Sequence, residues 1–206
     1  MGSGPDSLKG VAFFYATFPR PTETFVRREL RAISELGLNP TLFSIWRGNK
    51  NWEGRKIEKF QLSKLLSLIF WLPYWAFMRP QSFREVLLAL WHRPCPNLQN
   101  WNETFLGLGF ALVEAQNIKS KNFQILHAVW ATMPATAAFT VSKLIDVPFS
   151  MGAHAYDLFR QGGDWLLREK IEHASLIRTS SNSSANRLYD FGLAKDRVTV
   201  VCRDLS

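Results

Sequence analysis

The stretch Val147-Pro148-Phe149-Ser150-Met151-Gly152-Ala153-His154-Ala155-Tyr156-Asp157-Leu158-Phe159 decides the fold. Its first part is an apolar run of strand character that stops at the small residues Gly152 and Ala153. A histidine, a tyrosine and an aspartate follow at once. In a parallel α/β sheet, ligands gather at the carboxyl ends of the strands. A histidine placed there exchanges protons and hydrogen bonds near neutral pH.

Outward from this stretch the chain alternates. Residues 123–128 form an apolar strand, and residues 134–144 form a helix rich in small side chains that packs closely on a sheet. Beyond it, helical patterning over 164–173 gives way to a strand over 175–179. A helix over 183–189 is ended by Gly192, and a last strand spans 198–201. At the other end, residues 10–16 read as a buried strand. Pro19 and Pro21 break it, and Thr22 or Thr24 caps a helix running to about Leu36, with Val26, Leu30 and Ile33 inward and Arg27, Arg28 and Arg31 outward. Gly37 closes that helix, and residues 41–46 form the second strand. Such alternation specifies the α/β class, a Rossmann-like parallel sheet with helices on both faces and right-handed crossovers.

Between these halves lies an inserted apolar helical segment around residues 60–92. Its centre, residues 65–78, is shorter than the roughly 20 residues a spanning helix needs, and Pro73 interrupts it. Two readings stand. It is a buried or partner-facing helix, or an interfacial one with Trp71, Tyr74 and Trp75 at headgroup depth and Lys64 and Arg79 at its flanks. A second helix over 82–91 ends at Pro94 and Pro96, and Asn102 caps a third over about 103–116. Gly107-Leu108-Gly109 lacks a third glycine at position 112 and follows no strand, so it is not a dinucleotide fingerprint. The first strand lacks one as well, which sets aside a nicotinamide oxidoreductase.

The 206 residues suffice for one well-buried domain, and 47% hydrophobic content excludes general disorder. The net charge of +8 is uneven: the first hundred residues carry 14 Lys and Arg against 7 Asp and Glu. The basic half thus contains the apolar segment, a combination suited to an anionic membrane surface. No nucleic-acid module signature accompanies the basic residues, so nucleic acid is not an expected partner. Cys95 and Cys202 lack disulfide-framework or zinc spacing, and His92 and His173 are isolated, so no metal and a reducing cytoplasmic setting are expected. Residues 1–9 read as a flexible lead-in and 10–206 as the domain.

Three segments fall at strand ends in one order: Phe18-Pro19-Arg20-Pro21-Thr22-Glu23-Thr24-Phe25, His127-Ala128-Val129-Trp130-Ala131 and Ala153-His154-Ala155-Tyr156-Asp157. Together they resemble family 4 glycosyltransferases of the bacterial polysaccharide type. Those enzymes carry a phenylalanine-proline then Ser/Thr-Glu-Thr-Phe, a His-Ala-His-like strand end and an Ala-His-x-x-Asp strand end. The segment 174–183 is similar to the family's next strand and serine-led turn, and 192–201 to its glycine, lysine and valine-rich ending. Two departures stand out. Val129 replaces the family's second histidine, and Met151-Gly152 replaces larger or hydroxyl-bearing residues.

The resemblance implies the acceptor-binding, N-terminal half of a GT-B enzyme. Such a half faces a separate donor-binding domain, of which this sequence shows no motif. It implies retaining transfer of a sugar from a nucleotide-sugar donor, with no resident cofactor, to a polysaccharide or lipid-linked acceptor. The expected place is the cytoplasm, in peripheral contact with the cytoplasmic membrane. The chain alone is expected to transfer little sugar without the donor-binding domain. By resemblance His154 lies beside the reacting sugar and Asp157 orients it or an acceptor hydroxyl. Their structural alternatives are a satisfied strand-end histidine and a turn cap. Arg20, Thr22 and Glu23 stand at a helix start that can meet phosphate, and His127 reads as either an acceptor contact or a structural residue. A non-catalytic binding or scaffolding module with the same fold is the alternative function.

Overall fold

The computed structural model of the chain describes residues 10–92, 94–160 and 165–201. The lead-in at 1–9, Cys202 and the first residue of the helix expected from 164 lie outside them. The described chain forms an eight-stranded sheet in the order β3-β4-β2-β1-β5-β6-β7-β8. The strands are β1 Val11–Phe18, β2 Thr41–Gly48, β3 Asn51–Trp52, β4 Arg55–Lys59, β5 Ile125–Ala128, β6 Phe149–Gly152, β7 Leu176–Thr179 and β8 Val198–Val200. All neighbours are parallel except β3 and β4. The helices are α1 Thr24–Glu35, α2 Leu68–Met78, α3 Pro80–Trp91, α4 Leu98–Ser120, α5 Met133–Ile145, α6 Ala155–Phe159, α7 Leu167–His173 and α8 Asn182–Asp190. The architecture is α/β and Rossmann-like.

The apolar strands are unbroken because each is covered twice. In β1, Ala12 and Phe14 join the core shared with α4 and α5, while Phe13 and Tyr15 face the core of α1, with Val26 and Leu30. The chain builds β1, β2 and β4 outward on one side, then returns to lay β5 on the other side of β1. That reversal makes the carboxyl ends of β1 and β5 the topological switch point, where open α/β sheets bind ligands.

Several local expectations are corrected. The α1 start carries Glu23 at the N-cap with no side-chain cap bond, and neither threonine fills that role. Instead the Glu23 N–H donates to the Arg20 carbonyl. Arg31 faces outward as expected, but it pairs with Glu53 and lies over Trp52, tying α1 to the β3–β4 turn. α4 starts earlier than expected, because Asn97 rather than Asn102 caps it, its Oδ1 accepting the Asn100 N–H at 2.9 Å.

α2 and α3 lie outside the layer that closes the sheet. The 3₁₀ turn Leu62–Ser67 and α2 pack on α4, and α3 packs on α2 and α5. Among the described residues no helix is long and apolar enough to cross a membrane. The expected membrane contacts are turned the wrong way. Trp75 is 2% exposed and its Nε1–H donates to the Leu112 carbonyl at 2.7 Å. Trp71 stacks beside it, and Tyr74 packs edge-on against it and hydrogen-bonds Gln116. Lys64 is held by the buried Glu114 at 2.6 Å, and Arg79 by Asp146 at 2.5 Å. The physical reason is that the Trp75 N–H and the Tyr74 hydroxyl find partners in the fold, the first donating and the second accepting, whereas the aliphatic and Phe side chains of α2 have no polar group to satisfy.

Candidate active site at the switch point

A cavity of about 330 Å³ opens at the switch point. β1 and the loop after it supply Ala16, Thr17, Arg20 and Glu23. The loop after β5 supplies Trp130 and Thr132, α6 supplies Tyr156 and Asp157, and the first turns of α4 supply Gln99 and Glu103. Every contributing segment reaches the same edge because strands run toward it and α4, which precedes β5, starts from it. The buried Thr17 hydroxyl has no hydrogen-bond partner among the described residues.

The cavity wall is polar with two aromatic faces. Arg20 and Glu23 approach to 3.7 Å across one side of it. Partial burial raises the Glu23 pKa above the usual carboxylate value, and the nearby Arg20 charge opposes that shift. Gln99 bridges within α4 to Glu103 at 2.7 Å and reaches the Tyr156 hydroxyl at 3.5 Å. Carboxylates, an amide and a guanidinium can bind hydroxyls or phosphate oxygens in pairs.

Asp157 holds this edge together. Its Oδ2 accepts the His154 backbone N–H and the Ala131 N–H, each at 3.3 Å. The short helix α6, not foreseen in the sequence, starts at this contact and directs Tyr156 into the cavity. Lys170, fully buried on α7, donates to the Ala131 carbonyl at 2.7 Å and to Thr136 Oγ1 at 3.1 Å. Lysine is ordinarily a surface residue, so nothing in the residue pattern pointed to this inward role. Gln99, Glu103 and Trp130 were also missed as cavity residues. Only Trp130, next to the quoted strand end, carried a usable signal.

The sequence-derived residues separate into two groups. Arg20, Glu23 and Asp157 meet on the cavity wall, whereas Thr22, His127 and His154 do not line it. Thr22 is exposed. His154 is buried behind Trp130, ring centroids 5.1 Å apart, with Nδ1 3.2 Å from Ser180 Oγ. His127 packs on Phe13 and hydrogen-bonds Ser150 at 2.9 Å, on the α1 side of the sheet. Burial drives its pKa down to about 4, so the ring is neutral at physiological pH. Among the described residues no group of three or more His, Cys, Asp or Glu side chains is placed to hold a metal ion. Compared with known proteins, the chain matches no protein-family model and no curated sequence.

Proposed function

We propose that this domain is the acceptor-binding half of a retaining glycosyltransferase of GT-B architecture. It would work with a donor-binding domain that presents a nucleotide-sugar, and the acceptor would be a saccharide or a lipid-linked saccharide. The observation that carries the reading is the cavity lining at the switch point: flat aromatic surfaces from Trp130 and Tyr156 among Arg20, Glu23, Gln99, Glu103 and Asp157. A sugar ring offers apolar C–H faces and outward hydroxyls, so it needs an aromatic platform and polar groups that donate and accept together. The ordered strand-end motifs support the same reading. His154, behind Trp130, would reach the acceptor only once that ring moves aside.

One observation favours the alternative of a binding module without transfer. His154, the residue expected beside the reacting sugar, is covered and hydrogen-bonded within the domain.

The test is titration of the purified chain with a panel of neutral and phosphorylated oligosaccharides, followed by tryptophan fluorescence and NMR. At least one class should bind, and Trp130→Ala or Glu23→Gln should weaken it at least about tenfold, the loss of one good contact. No response from any saccharide would remove the reading. Sugar transfer on mixing with a donor-binding chain, abolished by His154→Ala, distinguishes the enzyme from the module.

A further inference from the structure

The β3–β4 hairpin extends the sheet without lining the cavity, yet it meets α1 through a cluster of charges. Arg31 on α1 lies over Trp52, and its Nε–H donates to both carboxylate oxygens of Glu53 at 3.0 Å. Arg27 stands one turn earlier on the same face of α1. Arg55 is the cross-strand partner of Trp52, which packs with Val26 and Leu30 of α1. Opposed residues of a hairpin share a face, so Arg55 leaves the sheet on the α1 side. Three guanidinium groups thus face one carboxylate. The Arg31 hydrogen bond holds the Glu53 carboxyl below the usual range, and the charges of Arg27 and Arg55 act in the same direction.

Two of these cations lack a counter-ion. Glu53 is engaged by Arg31, and the carboxylates along the first turns of α1 are engaged elsewhere, Glu23 by Arg20 and Glu29 by Arg178. Among the described residues neither Arg27 nor Arg55 forms an ion pair. Arg27 donates to the Pro21 carbonyl at 3.2 Å, but its Nε–H and one terminal nitrogen of Arg55, Nη1, are buried with no partner among the described residues. Unpaired buried donors destabilise a fold, so a native pair of them calls for a physical reason. We propose that Arg27 and Arg55 form a phosphate-binding site between α1 and the β3–β4 hairpin, with Glu53 as its anionic neighbour. A guanidinium fork matches the oxygens of a phosphate, and two forks match its two charges better than the single charge of a carboxylate. The Arg31 and Glu53 side chains are 52% and 41% exposed, so the cluster opens to solvent. An entering ion needs only a turn of the two flexible arginine side chains. Neither arginine lines the cavity at the switch point, so this site is separate from the proposed acceptor site.

The experiment is an NMR titration of the full chain with inorganic phosphate, exchanged for chloride at constant ionic strength and read on the arginine Nε–H signals. The Arg27 and Arg55 signals should move and saturate with a midpoint at or below about 1 mM. Arg27→Gln and Arg55→Gln should each weaken binding at least about tenfold, and Arg27→Lys, which keeps the charge but not the fork, should weaken it less. Glu53→Gln removes the neighbouring negative charge and should tighten binding at least about threefold. Arg28→Gln, an exposed neighbour on the same helix, should bind as the native chain does. Glycerol 3-phosphate separates the two sources of the group: tighter binding than phosphate identifies the end of a phosphate ester, and equal binding the free ion. The proposal falls if neither ion moves the two signals, or if Arg55→Gln binds as tightly as the native chain. It also falls if Arg28→Gln loses as much as Arg27→Gln, the mark of general attraction to a basic surface. Should an arginine variant unfold, Glu53→Gln still decides, because weaker binding there overturns the site. The titration contains no saccharide, so it fails or succeeds apart from the acceptor reading.

Discussion

Asp157 and Lys170 grip one residue, Ala131, at its two ends: the Asp157 carboxylate takes its N–H at 3.3 Å and the Lys170 ammonium its carbonyl at 2.7 Å. The loop that carries Trp130 and Thr132 to the cavity is therefore fixed by two charges on two different helices. Lys170→Met leaves the Ala131 carbonyl and Thr136 hydroxyl without their buried donor, at a cost of about 3 kcal/mol. Asp157→Asn keeps an acceptor oxygen and should cost about 1 kcal/mol. Because both act on one loop, the double variant should lose less than the two single costs combined. Urea unfolding of the four proteins measures this, and strict additivity would show that the loop does not couple them.

His127 makes the fold acid-sensitive. Its pKa is lowered to about 4 chiefly by burial, with Glu29 opposing and Arg178 reinforcing the shift. The unfolded chain binds this proton near pH 6.5, so between the two values the unfolded state holds more protons. The stability tied to the neutral ring is complete above pH 6.5 and is lost as pH falls from there through 4, to the extent of about 3 kcal/mol. His127→Asn should flatten that part of the stability profile. Urea midpoints at pH 7 and pH 4.5 decide it, and equal pH losses in both proteins would refute the assignment.

Glu23 and Arg20 share the cavity wall, and the cation opposes the upward shift that burial imposes on the carboxyl. Arg20→Gln removes the opposing charge, so the Glu23 pKa should rise further. A carbon-detected NMR titration of the Glu23 carboxyl reads this directly. A saccharide affinity that depends on ionised Glu23 should then lose its acid limb at a higher pH in the variant. An unmoved titration would mean that Arg20 is too well solvated to act on Glu23.

How far these features were legible follows from their physics. β1, β2, β5 and β6 were readable because strands covered on both faces are continuous apolar runs. The β3–β4 hairpin was not, since a polar edge strand shows no such run, and its turn at Glu53 and Gly54, both at positive φ, lacks the usual Asn-Gly or Asp-Gly signal. α6 is too short for a helical period to show. The orientation of α2 was hidden for the opposite reason: with nearly every position apolar, periodicity selects no face. Arg20, Glu23 and Asp157 were readable from position at strand ends, but Gln99 and Glu103 reach the cavity from a helix distant in sequence, which only the three-dimensional crossover reveals.

The backbone at Val129 leaves no room for a side chain at Gly152. A Cβ on Gly152 would press into the Val129 backbone carbonyl and also crowd His154 Nε2, 3.4 Å away. Gly152 and the Val129 backbone thus lie against each other at the adjacent ends of β5 and β6. The obstacle is backbone, which cannot swing aside as a flexible side chain would. Gly152→Ala should therefore cost about 2 kcal/mol or more, in the range of overpacked cores. The strain should also push the loop after β5 outward, moving Trp130 off His154 and changing the near-ultraviolet dichroism of the tryptophans. Ala137→Gly on α5 removes a methyl group without any such clash and serves as the comparison for a simple small-residue change. If Gly152→Ala unfolds at the native urea midpoint with an unchanged tryptophan signal, then β5 and β6 can part at this end, and the close approach is not what fixes the cavity wall.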